Sequence, residues 1–238
     1  MRKVFGSVMC AAALASPAAF ADVTANIGVA SEYMFRGIPQ TNGAAVQGGL
    51  DFTTASGLYV GTWASNVNFG GGENGNEFDV YGGFTTTFGS FGLDVGAIGY
   101  IYSETKEAGG GAASNLDFIE GYVGGSFGPL SAKVYYSPDY NNVSAASIYG
   151  TATATFPLND NLSLFAQGGS LDWDEIDSYV DMSAGVTGSK DGLSITLGAY
   201  ATNGRGAATA AANNITGGLA GDSDDVKFVI SAKKTLSL

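Results

Sequence analysis

Histidine is absent from all 238 residues of this chain. Serine–histidine hydrolysis therefore has no base, and histidine-centred zinc chemistry has no ligand. Cysteine is nearly absent too. The single thiol, Cys10, lies close to the N-terminus, so the expected mature chain has neither a disulfide nor a thiolate nucleophile. Proline is scarce at 5 residues, and charged residues make up 13%, about half the usual share. No apolar run approaches the ~20 residues of a membrane-spanning helix. Positive charge is the scarcer sign, with 10 Lys and Arg against 22 Asp and Glu and a formal net charge of −12. So acidic a chain repels phosphate backbones, which argues against a nucleic-acid partner.

The first residues read as an address rather than as fold. Arg2 and Lys3 form a basic start, residues 4–14 are apolar but too short to cross a bilayer, and Ala19-Phe20-Ala21 is a small-x-small cleavage site. Residues 1–21 are expected to be a secretory signal peptide, and residues 22–238 the exported domain. Cleavage would remove the charges of Arg2 and Lys3 and take the net charge from −12 to −14. An exported chain without disulfides must draw its stability from another source.

Glycine is abundant, at 37 residues, and the rest of the chain alternates. About twelve segments of period two are separated by glycine, asparagine and aspartate. Odd positions are apolar over 23–37, including Ile27, Val29, Tyr33 and Phe35, with Asn26, Glu32 and Arg36 opposite. Val46, Leu50 and Phe52 alternate with Gln47 and Asp51 over 44–54. Segment 57–69 puts Tyr59, Trp63, Val67 and Phe69 on one face and Thr62, Asn66 and Asn68 on the other. Over 76–88, Phe78, Val80, Phe84 and Phe88 oppose Glu77, Asp79, Tyr81 and Thr85. Over 91–104, Phe91, Leu93, Val95 and Ile101 oppose Asp94 and Glu104. In 116–127, Phe118 and Ile119 compete for one face, and the register chosen places Val123 and Phe127 outward with Glu120 and Tyr122 inward. Segment 130–140 sets Ala132, Val134 and Tyr136 against Lys133 and Tyr135. Segments 145–156, 162–171, 178–188, 193–202 and 226–236 complete the set.

The connections alternate as well. Short turns are expected at 54–57, 89–90, 128–129, 157–161 and 189–192. Longer polar loops are expected at 70–75, 103–115, 137–144, 170–177 and 203–225. Short turns at one end and long loops at the other are the layout of an outer-membrane barrel. A soluble β-sandwich also alternates, with its polar face outward. The segment count, the export signal, the lack of disulfides and aromatics near segment ends (Tyr33, Phe35, Phe69, Phe88, Phe91, Phe127, Phe156) favour an all-β, closed antiparallel transmembrane barrel. Its outer face would meet membrane lipid and lipopolysaccharide, and its biogenesis would use the barrel-assembly machinery. Twelve strands at ~4.8 Å spacing and ~40° tilt give a backbone diameter of roughly 24 Å.

Three stretches carry a family resemblance. They are Ser31-Glu32-Tyr33-Met34-Phe35-Arg36-Gly37, Ala45-Val46-Gln47-Gly48-Gly49-Leu50-Asp51 and Gly61-Thr62-Trp63-Ala64-Ser65-Asn66-Val67, joined by Glu77-Phe78-Asp79-Val80-Tyr81 and, further on, Ser131-Ala132-Lys133-Val134-Tyr135-Tyr136-Ser137-Pro138. They resemble the TorF-family porins, a proteobacterial outer-membrane family also catalogued as conserved proteins of unknown function. The resemblance is specific over 26–81 and looser beyond, and it implies an outer-membrane barrel with passive transport. One departure is the end of the chain, where Leu236 and Leu238 stand in place of the aromatic that usually closes such barrels.

The remaining chemistry is that of carboxylates. Glu77 and Asp79 could pair as in a glycosidase, but strand alternation alone places both on one polar face. The glycine-rich 70–75 stretch has no helix after it and so lacks the context of a phosphate loop. Asp172, Asp174, Glu175 and Asp177, and again Asp222, Asp224 and Asp225, form acidic groups without the spacing of a calcium-binding loop. No cofactor or metal is expected. The expected pore-lining residues are Glu32, Arg36, Glu77, Asp79, Glu120 and Lys133, with Tyr81, Tyr122 and Tyr135 narrowing the path. Asp51, Asp94, Glu104, Asp181, Asp225, Lys227 and Lys233 would share that face, so acids outnumber bases there and cations are favoured. Two functions follow: a channel for small hydrophilic solutes or cations, or a non-conducting barrel, plugged by its own side chains, that acts in adhesion, surface binding or envelope integrity through its loops.

Overall fold

The computed structural model describes residues 22–68, 75–103, 116–142, 144–173, 176–203 and 226–238. Twelve antiparallel strands close into a barrel: β1 Asp22–Ala30, β4 Ala45–Thr53, β5 Leu58–Val67, β6 Gly75–Phe88, β7 Phe91–Tyr102, β8 Phe118–Phe127, β9 Leu130–Ser137, β10 Ser147–Asn159, β11 Leu162–Trp173, β12 Ile176–Lys190, β13 Leu193–Asn203 and β14 Lys227–Ser237. Each strand pairs with its neighbours in the chain, and β1 closes onto β14. Two further short strands, β2 Met34–Phe35 and β3 Ile38–Pro39, pair only with each other. Closure leaves no unpaired edge, which is what a sheet needs inside a bilayer.

The period-two pattern is the two faces of this wall. Val29, Val80, Ile101, Val123, Ile148, Leu197 and Phe228 project outward and are exposed, Phe228 by 74%. The opposite parity carries the carboxylates and hydroxyls inward. A soluble sandwich would bury the first set and expose the second, so the exposed apolar belt identifies a membrane-spanning barrel. In β8 the outward set is Ile119, Val123 and Phe127, while Phe118 is buried inside. Phe88, Phe91 and Phe127 are exposed and stand in cross-strand pairs at the short-turn end. With exposed Phe156 they supply an interfacial aromatic row at that end. Leu236 keeps the outward parity of Phe228 and Ile230, and Leu238 beyond the strand is exposed as well.

Three expectations are corrected, and the inward face of β5, left open by its alternation, is assigned. The first strand ends at Ala30 rather than running to residue 37, and Tyr33 and Phe35 are buried instead of joining an aromatic girdle. In β5 the face bearing Tyr59, Trp63 and Val67 points into the barrel, while Leu58 and Val60 point out. The loop expected at 170–177 is mostly strand: β11 continues to Trp173, which pairs with Ile176 across a bulge. Near residue 157, β10 runs on to Asn159, so the turn there is shorter than expected. Phe69, Glu104, Asp174, Glu175, Asp222, Asp224, Asp225 and most of the loops expected at 70–75, 103–115 and 203–225 lie outside the described residues.

The core lies inside the barrel at its long-loop end. Ala30, Ala45, Val67, Tyr100, Phe118, Tyr149, Leu171, Tyr179 and Val229 come from nine wall strands and converge on Tyr33, Phe35 and Ile38 in one buried cluster. Apolar packing between wall and inserted segment therefore stabilises this disulfide-free barrel.

Candidate functional site: the barrel interior

After Ala30 the chain leaves the wall and folds inward, returning at Ala45, the residue paired directly with Ala30. Entry is fixed by Ser31, whose amide donates to the Ile230 carbonyl at 2.8 Å and whose hydroxyl accepts from the Ile230 amide at 3.1 Å. The segment forms a hairpin in which Phe35 pairs with Ile38 and Met34 with Pro39. The Gln40 amide donates to the Tyr33 carbonyl at 2.7 Å. Pro39 thus falls between hydrogen-bonded pairs, where its missing N–H removes nothing from the ladder. The tip is the two-residue turn Arg36-Gly37, with φ of 49° and 76°. Both positions are left-handed, as the tightest hairpin turn requires. For Arg36 that conformation costs about 1–2 kcal/mol. Glycine is needed at 37 for a second reason: a Cβ there would lie 2.6 Å from Thr202 Cγ2 and 2.8 Å from Asp181 Cβ. The hairpin tip is pressed against β12 and β13.

Arg36 crosses to the far wall. Its guanidinium donates from Nη2 to Glu120 Oε2 on β8 at 2.6 Å, with side-chain exposures of 4% and 0%. Aromatic rings surround the charge, with centroids at 4.1 Å for Tyr149, 4.8 Å for Phe35, 5.3 Å for Tyr135 and 5.7 Å for Tyr140. Each ring face presents negative potential to the cation. Tyr100 donates to the same Glu120 oxygen at 3.1 Å, and Tyr179 donates to the Arg36 carbonyl at 3.2 Å. Tyr140, in the 3-10 turn Tyr140–Asn142, reaches into the interior from the β9–β10 connection. Burial pushes its hydroxyl up to about 12, so it stays neutral beside the guanidinium.

A second acidic group adjoins this one. Glu77 and Asp79 follow each other on the inner face of β6, and Tyr33 of the hairpin donates to Glu77 Oε1 at 3.3 Å. Trp63, opposite Asp79 on β5, meets Tyr33 edge-on at 5.2 Å. Among the described residues the buried charged side chains are Glu77, Asp79, Glu120 and Asp181 against Arg36 alone. Glu77 Oε2, Asp79 Oδ1, Glu120 Oε1 and Arg36 Nη1 have no hydrogen-bond partner among the described residues.

Nearer the short-turn end the interior is half-buried and laced by polar contacts. Lys133 Nζ donates to Asp94 Oδ2 at 2.6 Å and lies 4.4 Å from the Tyr122 ring. Tyr59 donates to Asp94 Oδ1 at 2.7 Å and approaches the Tyr122 hydroxyl at 2.5 Å. Tyr81 donates to Asp51 Oδ1 at 2.5 Å. These rings lie flat because the neighbouring strands carry glycine beneath them. A Cβ on Gly83 would come within 2.5 Å of Tyr59 Oη, and one on Gly96 within 2.6 Å of Tyr122 Oη.

The expected site residues other than Glu32 face the interior, at two levels and by two routes. Glu77, Asp79 and Glu120 belong to the outer level, buried against the hairpin. Tyr81, Tyr122 and Lys133 belong to the inner network, and Tyr135 lies tilted between Tyr122 at 5.5 Å and Tyr149 at 6.0 Å. Arg36 reaches the interior on the inserted hairpin, not on a wall strand. Glu32 stays at the rim, 3.8 Å from Lys227. Sequence reasoning missed the contributions of Tyr33, Phe35, Trp63, Tyr140 and Tyr149. The signal that could have located the hairpin was Arg36-Gly37 followed by Pro39, a turn signature inside an otherwise strand-like run.

Solved structures share this architecture. A KdgM porin aligns with a TM-score of 0.56 at 8% identity, covering 89% of this chain and 98% of that one. A KdgM porin in complex with disordered oligogalacturonate aligns at 0.54 with 9% identity, covering 90% and 98%. A NanC porin aligns at 0.53 with 8% identity, covering 91% and 99%. At such identities the likeness is one of fold. No curated protein matches in sequence. The sequence profile of Gcw_chp, described as a bacterial protein of unknown function, matches residues 12–235, and the chain belongs to that family.

Proposed function

We propose that this protein is an outer-membrane, porin-like channel through which small hydrophilic solutes diffuse down their gradient, with a preference for cations. The carrying observation is the inner face: a closed wall that is apolar outside and lined inside by hydroxyls, tyrosines and more carboxylates than bases. Fixed acids in a low-dielectric lumen attract cations and repel anions. The shared fold with porins and the resemblance of 26–81 to the TorF family support the same reading. The oligogalacturonate bound by one KdgM structure is a polyanion. The acidic interior here favours solutes of the opposite charge. Planar-bilayer recording of the refolded mature chain under a salt gradient tests the proposal. Discrete steps with a cation-directed reversal potential support it, and an anion-directed potential overturns the selectivity.

One observation favours a second reading. The outer half of the interior is filled by the hairpin and the buried cluster around it. A barrel that stays so would not conduct and would act through its loops, in adhesion, surface binding or envelope integrity. Silence from demonstrably folded barrel, with and without the hairpin, would select this reading.

A further inference from the structure

The hairpin brings to the interior a group that is itself a ligand. A guanidinium lies among four aromatic rings and against one carboxylate, all supplied by the barrel wall except Phe35 of its own hairpin and Tyr140 of the β9–β10 connection. Such a constellation recognises a delocalised organic cation. The ion pair uses one arm of each partner, since Arg36 Nη1 and Glu120 Oε1 stay unpartnered among the described residues. Asp79 Oδ1, buried on the inner face of β6 and directly paired with Tyr100, is unpartnered too. The wall therefore offers more acceptors than the tethered side chain takes up. Arg36 is also presented from a strained left-handed turn, on a segment joined to the barrel at Ala30 and Ala45.

We propose that the pocket formed by Glu120, Tyr100, Tyr135 and Tyr149, with Asp79 beside it, is a binding site for solutes bearing a guanidinium group, which Arg36 occupies as a tethered stand-in. A free guanidinium solute competes with Arg36 for Glu120, and in displacing it loosens the hairpin that fills the outer half of the lumen. The proposal deepens the cation-channel reading by naming the solute class and rests on it for the transport step; the binding step stands apart.

The test uses the full mature chain, refolded in detergent, with methylguanidinium chloride as the probe. Trp63 and Trp173 are the only tryptophans, and both border the site: Trp63 packs on Tyr33 at 5.2 Å and Trp173 on Tyr140 at 4.9 Å. Their fluorescence reports binding without any current. Arg36→Asn removes the tethered cation while keeping a residue that tolerates the left-handed turn. This variant should bind methylguanidinium saturably, at least ten-fold more tightly than the wild type, and Arg36→Asn/Glu120→Gln should lose that gain. The proposal is overturned if Arg36→Asn binds no better than the wild type, or responds equally to potassium or glucuronate. If Arg36→Asn does not refold alone, recovery in methylguanidinium but not in equimolar potassium chloride supports the site, and failure in both overturns it. A folded barrel that binds but never conducts refutes only the channel reading. One that conducts without binding refutes only this site.

Discussion

At the scale of single residues, the buried Arg36–Glu120 pair ties the hairpin to the far wall of the barrel. Two charges removed from water are tolerated because the contact is short and Tyr100 supports the same carboxylate oxygen. Removing one charge leaves the other buried and unpaired, a loss of about 3–5 kcal/mol. Glu120→Gln is therefore expected to weaken hairpin docking by about that amount, read as faster hydrogen exchange at the amides of Phe35 and Gln40. Unchanged protection would mean that apolar packing alone holds the segment. Gly37→Ala acts from the opposite wall. Its methyl would collide with Thr202 and Asp181, so the tip should lift and channel openings should become more frequent in bilayer recordings. Tyr33 and Phe35 were not legible as interior residues. They continue the odd parity of Ile27 and Val29, and parity alone does not distinguish a side chain facing lipid from one buried in a plug.

At the scale of elements, strands were legible where the two faces meet different media. In β6 the outward Phe78, Val80 and Phe84 are apolar and the inward Glu77, Asp79 and Tyr81 charged or phenolic, and in β9 Val134 faces out and Lys133 and Tyr135 in, so the alternation reports the wall directly. β5 defeats this logic because its inner face meets the hairpin and is itself aromatic and apolar at Trp63 and Val67. The β11–β12 connection was misread for a related reason: Asp172 suggests a loop, yet its carboxylate accepts from Ser178 at 2.6 Å beside a paired hairpin. Lipid exposure gives a direct expectation. Val80→Arg, on the outer face of β6, should cost about 2–4 kcal/mol, measured as a lowered urea midpoint of barrel unfolding in lipid vesicles. A change near zero would mean that this face is not in hydrocarbon.

At the scale of the whole molecule, the barrel combines a packed outer half with a half-buried polar inner half. The twelve-strand closure was readable from segment count and turn lengths, because each strand needs only its own alternation. The filling of the lumen was not, because it depends on which residues a closed wall brings face to face across the lumen. Arg36 and Glu120 are 84 positions apart. Charge selectivity should reside below the hairpin, where Asp51 and Asp94 hold the tyrosine and lysine network. Asp51→Asn with Asp94→Asn is expected to move the reversal potential toward zero under a salt gradient, and an unchanged potential would place selectivity elsewhere. The central claim, that a cation-preferring channel lies beneath an inserted hairpin, has one direct test. Ala30 and Ala45 are directly paired, so residues 31–44 can be replaced by a two-residue Asn-Gly turn without moving either strand. Single-channel recording of this shortened barrel beside the wild type should give discrete steps at least several-fold larger than any wild-type step, with a cation-directed reversal potential. A folded, shortened barrel that passes no current would contradict the account.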